Sequence, residues 1–310
     1  MNELQKKNAC FNKIYDLAIT WNWEYDKDFV NLLEKECIHK SVSLLHITQN
    51  NFEYIKQSLL NNIINFRFFL DRASDSDNQF LFFNQWSTEN NVYEINPHKK
   101  AIYTYNKINM HYKLFEKGIH TPYTVILPPY EIEPYLSAVD LRPLGEKFFI
   151  KPASGGGGDG IIKEATTLQQ ILIARQEKPA DYYMLQPYIK TVHIGEQVAW
   201  FRVIYCTGKI YPNWWNQETH IYIPVSYEEE CLYHLESLHA ICQVIANICG
   251  LNLFSTEIAL TPNNKFIVVD YVNDQLDLRL QSKSKDSVPD NVVRDISSRI
   301  VEHILSSSSD

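Results

Sequence analysis

Two hydrophobic periods alternate along the first third of the chain. Compact apolar runs at residues 14–19, 43–47 and 66–70 are separated by stretches 29–39 and 52–63, where apolar residues recur at helical spacing, as Val30, Leu33 and Cys37 do. This β-α-β-α-β rhythm predicts an α/β unit. Thr20-Trp21-Asn22-Trp23 reads as a loop after the first run, and the third run ends in Asp71-Arg72-Ala73-Ser74-Asp75. Charge at a strand's carboxyl end is where open α/β sheets bind ligands, although solvated loop charges look the same. Asn96-Pro97 breaks the pattern.

Residues 98–118 then read as one helical stretch through Ile102, Tyr105, Ile108, Met110 and Leu114, closed by Gly118 and carrying Lys107. A strand entered through Pro122 occupies 121–127, and a short apolar strand occupies 148–150. Residues 167–175 predict a helix capped by Thr166 or Thr167. Residues 184–189 predict a strand that Pro187 confines to an edge or a linker. Strict alternation over 197–206, a turn at Gly208 and a return over 210–215 predict a hairpin. The stripe Leu235, Leu238, Ile241, Ile245, Ile248 predicts a helix over 232–248, ended by Gly250. A second hairpin joins 254–260 to 265–273 around Pro262-Asn263-Asn264. A terminal helix over 288–304 runs into the serines at 306–309, expected to be unstructured. The segments group as 1–97, 98–190 and 191–310.

Two places carry candidate chemistry. The first is Lys151-Pro152-Ala153-Ser154-Gly155-Gly156-Gly157-Gly158-Asp159-Gly160, where five of the ten glycines fall within six positions before Ile161 and Ile162 start a return strand. Without Cβ atoms, backbone N–H groups can close on a phosphate, and Lys151 can add its charge. A flexible hairpin turn gives the same pattern, and it matches neither a Walker loop nor a dinucleotide fingerprint. The second is the later hairpin, whose strands carry Glu257 and Asp270 in otherwise apolar runs, with Asn273 beyond. Buried carboxylates are costly unless paired or metal-bound, and this oxygen set suits Mg²⁺ beside nucleotide phosphates. Arg202 shares the face of Trp200 and Ile204, so its charge needs an anionic partner: a transferred phosphate, or a protein carboxylate such as Glu257.

Composition narrows the classes. A net charge of −8 argues against nucleic acid as main partner. No apolar run approaches the ~18 residues of a membrane span, and Met1-Asn2-Glu3-Leu4-Gln5-Lys6-Lys7 lacks a signal-peptide core. The six scattered cysteines suit reduced thiols in a cytoplasm. No Ser/His/Asp or Cys/His nucleophile arrangement is evident, and His193, His220, His234 and His239 lack zinc spacing.

The order of these parts, lysine in a helix, lysine before a glycine loop, linker strand, two-carboxylate hairpin with asparagine, resembles the ATP-grasp superfamily. It is nearest to the branch of ribosomal-S6-type glutamate ligases, glutathione synthetase and D-alanine–D-alanine ligase. The resemblance covers about residues 95–305 and implies an α/β (α+β) ATP-grasp fold after an N-terminal α/β domain. By position it implies Lys107 and Lys151 on ATP phosphates and Ser154, Gly155, Gly156, Gly157, Gly158 and Gly160 in a mobile lid. Gln186, Tyr188 and Ile189 would lie along the adenine, with Glu196 on the ribose. Mg²⁺ would sit on Glu257, Asp270 and Asn273, and Arg202 would meet the transferred phosphate. Two departures stand out: Asp270-x-x-Asn273 replaces the usual Glu-x-Asn, and Pro187 replaces an acidic linker residue. The implied reaction is ATP-dependent joining of a small-molecule or peptide carboxylate to an amine, or to a thiol, through an acylphosphate. A kinase acting on an alcohol and a non-catalytic nucleotide-binding module are the alternatives, and a homodimer stays open. Asp71, Arg72, Asp75, the Trp214-Trp215-Asn216 run and Arg279 are the candidate substrate contacts. For the tryptophans a place in the core is an equal expectation.

Overall fold

The computed structural model describes residues 13–136 and 139–307. Its contacts divide the chain into two compact units. One holds the chain up to His98, with Asp277–Ser284 and everything from Asp290; the other holds Lys99–Leu276 and Lys285–Pro289.

The first unit is the expected α/β unit. Strands β1 (Lys13–Trp21), β2 (Leu44–Ile47), β3 (Ile64–Arg72) and β4 (Tyr93–Glu94) form a parallel sheet in the order β2-β1-β3-β4. Between them run α1 (Lys27–His39), α2 (Phe52–Leu60) and α3 (Leu81–Glu89). Leu17, Ala18 and Ile19 are wholly buried, which is why β1 reads as a continuous apolar run. Both β1 and β3 extend past their apolar runs. Thr20 and Trp21, expected in a loop, pair with Asp71 and Arg72. The Thr20 hydroxyl donates to Asp71 Oδ1 (2.7 Å) and accepts from the Arg72 N–H (3.2 Å), so polar side chains continue the ladder. α3 has no counterpart in the sequence reading. Phe80, Phe83 and Trp86 bury its inner side, while Asp77 accepts from the Gln79 N–H just before it.

In the second unit the stretch 98–118 is two helices, α4 (His98–Tyr105) and α5 (Lys107–Glu116). Asn106 ends one and caps the other, its Oδ1 accepting from the N–H groups of Ile108 and Asn109. Strands β5 (Val125–Leu127), β6 (Phe148–Pro152), β7 (Ile162–Ala165) and β8 (Tyr183–Pro187) form an antiparallel sheet in the order β5-β8-β6-β7, covered by α6 (Leu168–Glu177). Thr167 caps α6 in a full capping box with Gln170. β8 is a central strand, not the expected edge: Pro187 is its last residue, so the missing N–H falls where the ladder stops.

A short hairpin of β9 (His193–Ile194) and β10 (Gln197–Val198) leads into the larger sheet. This contains β11 (Trp200–Cys206), β12 (Lys209–Trp215), β13 (Tyr222–Pro224), β14 (Leu253–Leu260) and β15 (Phe266–Asn273), in the order β13-β12-β11-β14-β15. The strand expected over 197–206 is interrupted at Ala199, whose N–H turns to Val192 O (2.8 Å). The helix expected over 232–248 is two, α7 (Tyr227–Tyr233) and α8 (Ser237–Cys249). His234 sits between them at φ +55°, and Gly250 closes α8 at φ +65°. Leu238, Cys242 and Ile245 of α8 pack with Met110 and Leu114 of α5 and with Phe201, Val203, Ile258 and Val268 of the sheet.

The last helix, α9 (Asp290–Ser307), belongs to the first unit. Its apolar face of Val292, Val293, Ile296, Ile300 and Ile304 is buried, and it packs against α1. Of the terminal serines, 308 and 309 lie outside the described residues. Cys37, Cys206, Cys242 and Cys249 are buried free thiols and Cys231 an exposed one; Cys10 lies outside the described residues. No described helix is long and apolar enough to cross a membrane.

The first unit also encloses an ion pair. Arg72 donates to both carboxylate oxygens of Asp26 (Nε 3.0 Å, Nη2 2.6 Å) and stacks 5.3 Å from the Phe29 ring centroid; both partners are under 5% exposed. Removing one partner leaves a buried charge uncompensated. We therefore expect Asp26→Leu to cost about 3–5 kcal/mol in urea unfolding, and Asp26→Leu with Arg72→Met to recover most of that loss. A single variant as stable as wild type would show the pair to be solvated.

Candidate active site

The site grows out of strand register. Across the larger sheet, Asn213 faces Arg202, Arg202 faces Glu257, and Glu257 faces Asp270. Directly opposed residues share a face, so these four polar side chains form one row over β12, β11, β14 and β15. The other face belongs to the core, with Phe201, Val203, Ile258 and Val268.

Plain alternation would not put Asp270 there, since Val268, two residues earlier, points into the core. Two register shifts intervene. Ile258 pairs with Val268, Glu257 with Asp270 and Ser255 with Asn273. One step on β14 is thus matched by two on β15, and the next two steps by three. Each shift is a β-bulge that absorbs an extra residue. The first turns Asp270 out of the core. The second brings Asn273 back to the face of Asp270 despite their odd spacing. The interval that departs from the familiar Glu-x-Asn is compensated by backbone geometry.

Arg202 Nη1 donates to Glu257 Oε1 (2.8 Å) and its Nε to Ser255 Oγ (3.1 Å); Trp200 Nε1 donates to Glu257 Oε2 (3.2 Å). The Arg202 guanidinium lies 5.0 Å from the Trp215 ring centroid, and Trp215 is stacked by His220 at 5.3 Å and 5°. Trp215 belongs to the tryptophan run expected at the substrate, whereas Trp200 and Ser255 were not singled out from sequence. The latter two sit two residues from Arg202 and Glu257, the spacing that shares a face. Burial raises the Glu257 pKa; Arg202 opposes this, Asp270 adds to it, and the Trp200 hydrogen bond opposes it.

The two expected lysines respond to these carboxylates. Burial lowers the Lys151 pKa, Asp270 and Glu257 pull it back, and Lys107 lowers it further. Burial likewise lowers that of Lys107, against the charges of Asp270 and Asp181. Lys107 is the first residue of α5. Its N–H donates to Ala153 O (2.8 Å) and its ammonium to Gly155 O (2.5 Å), fastening it to the glycine loop. The loop has further ties, from Ser154 to Asp181 (N–H to Oδ2, 3.0 Å) and from Lys178 to Asp159 (2.6 Å). Gly155, Gly157, Gly158 and Gly160 all have positive φ. At Gly160 a Cβ would also lie 3.3 Å from Pro152 Cγ, whereas beside Gly156, Gly157 and Gly158 it would meet nothing within 4 Å.

Along the linker, the buried Gln186 side chain donates to Thr124 Oγ1 (3.0 Å) and to the Tyr271 hydroxyl (3.2 Å), which engages both hydrogens of its amide. Tyr188 is exposed with its ring 4.4 Å from that of Phe149, Ile189 is half-buried, and Glu196 is exposed in the β9–β10 turn.

Several expected substrate contacts are engaged inside their own unit. Asp71 accepts from Thr20, the N–H groups of Ala73 and Ser74, the Ser74 hydroxyl and Asn84, so it organises the loop after β3. Arg72 is committed to Asp26. Arg279 is paired with Asp277 (2.7 Å), donates to Ser284 and lies about 6 Å from the rings of Trp23 and Tyr25. Trp214 is a core residue, 2% exposed, packed 4.7 Å from Phe201 with its N–H on Glu229; its neighbour Trp215 is the ring beside Arg202. Asp75 stands exposed, its carboxyl pushed up by desolvation and by Asp71, and so does Asn216, whose Oδ1 accepts from the N–H groups of Glu218 and Thr219.

Among the described residues no group of three or more His, Cys, Asp or Glu gathers as a metal site. Glu257, Asp270 and Asn273 supply two carboxylates and an amide on one face. Such an oxygen set fits Mg²⁺, which takes much of its shell from phosphate and water.

No protein-family model and no curated protein matches the chain. Solved structures do. A RimK-domain ATP-grasp protein from Sphaerobacter thermophilus is similar at 13% identity and TM-score 0.63, over 93% of this chain and 99% of that one. The D-cycloserine synthetase DcsG is similar at 13% identity and TM-score 0.61, over 94% and 99%. The ATP-grasp ligase PsnB, complexed with a minimal precursor, Mg and ADP, is similar at 11% identity and TM-score 0.60, over 95% and 98%. Near-complete coverage at such low identity carries architecture and nothing finer: the chain has the ATP-grasp fold.

Proposed function

We propose that this protein is an ATP- and Mg²⁺-dependent ligase that activates a carboxylate as an acylphosphate and joins it to an amine, releasing ADP and phosphate. The observation that carries the reading is the row Arg202–Glu257–Asp270, whose carboxylates act on the charges of Lys151 and Lys107. Solved relatives with the same fold support it, PsnB with Mg and ADP and DcsG as a synthetase.

In this reading Lys107 and Lys151 neutralise ATP phosphates, and Arg202 meets the phosphoryl group in transfer. Glu257, Asp270 and Asn273 hold Mg²⁺, which supplies charge stabilisation to the phosphates. The backbone around Gln186, with Tyr188 and Ile189, receives the adenine, and Glu196 the ribose. The glycine loop closes over the phosphates and excludes water, exchanging its ties to Lys107 and Asp181 for the nucleotide. A substrate carboxylate oxygen attacks the γ-phosphorus as the bond to ADP breaks. The amine nitrogen then attacks the acyl carbon, phosphate leaves with the C–O electron pair, and the amine loses a proton.

Three outcomes follow. With ATP, Mg²⁺ and the right acid, hydroxylamine should trap a hydroxamate; a stable phosphate ester with no hydroxamate would replace the ligase by a kinase. Asp270→Asn should lower turnover at least ~100-fold, the several kcal/mol that metal stabilisation of phosphoryl transfer supplies, with little change in melting temperature. Near-normal turnover would remove Asp270 from the site. Amide exchange across 153–161 should slow on adding Mg-ATP, whereas equal protection with and without nucleotide would make the loop a fixed turn.

A further inference from the structure

Behind the carboxylate row lies a polar chain that the proposed chemistry does not use. Tyr271, next to Asp270 on β15, is 3% exposed in the core cluster shared with α5 and α8. Its hydroxyl lies 2.7 Å from His111 Nδ1 and accepts from Gln186 Nε2 at 3.2 Å. With both groups neutral, the hydroxyl and His111 form one hydrogen bond, whose direction follows the tautomer of His111. Burial favours this state on both sides, lowering the His111 pKa and raising that of Tyr271.

The position of His111 gives the contact its meaning. It stands four residues after Lys107 on α5, one turn along the same helix face. Tyr271 stands one residue after Asp270. One hydrogen bond therefore joins the helix that begins with Lys107 to the strand that carries Asp270, and the Asp270 charge already acts on Lys107. The other end of the chain reaches Thr124, just before β5, through Gln186 on β8. A phenylalanine would fill the same volume but take this partner from the buried Gln186 amide and from His111, so a purely structural use of the hydroxyl is what the test must separate.

We propose that Tyr271 is a positioning residue of the phosphate site: through His111 it sets where Lys107 stands relative to Asp270. The inference rests on the nucleotide-binding reading above.

The test is calorimetric titration of Mg-ADP into the full chain and its variants. Tyr271→Phe should weaken binding about tenfold, the scale of one buried hydrogen bond. His111→Leu, on a half-buried helix face, should do the same and guards against a misfolded Tyr271 variant. Lys107→Gln should weaken binding as well, and adding Tyr271→Phe to it should change little more, because the hydroxyl acts by way of that lysine. A hydroxyl that serves only the core would leave ADP affinity unchanged while lowering the melting temperature. Wild-type affinity in Tyr271→Phe or in His111→Leu, or a tenfold loss that persists undiminished in Lys107→Gln, overturns the proposal. A wild-type protein that binds no Mg-ADP at millimolar concentration overturns the nucleotide reading itself, and this proposal with it.

Discussion

Two carboxylates on one enclosed sheet face repel each other and lose hydration together; the site depends on how that cost is met. Glu257 meets it with Arg202 and Trp200, each donating to a different oxygen. Arg202 is in turn held by Ser255 and by the Trp215 ring. Asp270 relies on the longer reach of Lys151 and Lys107, which come from another sheet and another helix. The lysines are offset by the carboxylates in turn, since burial lowers the pKa of both and the carboxylate charges raise it. The result is two carboxylates, Glu257 and Asp270, set among three cations, Arg202, Lys151 and Lys107.

Much of this could be read from the sequence, because a charge inside an alternating apolar strand has few explanations. Glu257, Asp270 and Arg202 stood out that way, and the glycine run and Lys151 stood out by local composition. What could not be read is what depends on partners distant in sequence. Arg72 looked like a ligand contact until Asp26, 46 residues away, closed on it. Asp71 looked like an exposed strand-end acid until Thr20 and Asn84 filled its oxygens. Arg279, for which an ion pair was as much an expectation as a substrate clamp, is paired with Asp277 two residues away.

Helix boundaries failed for a related reason. Hydrophobic spacing ran smoothly through Asn106 and His234, yet both positions break the helix. Asn106 does so by turning its side chain onto the next turn's N–H groups, and His234 by taking a left-handed backbone. The first break matters chemically. It makes Lys107 the opening residue of a helix, where its own N–H is spare and can hold the glycine loop at Ala153.

The paired bulges in β15 bear on what spacing along a strand means. An acid and an amide can share a face at an interval of two in a regular strand, or of three in a strand that carries one extra residue. In this strand the extra residue between Asp270 and Asn273 lets both side chains share a face across an interval of three. Insertion of a single residue into a strand is ordinarily ruinous, because every side chain beyond it changes face. Here it is absorbed locally, so the pairing on either side of each bulge keeps its faces.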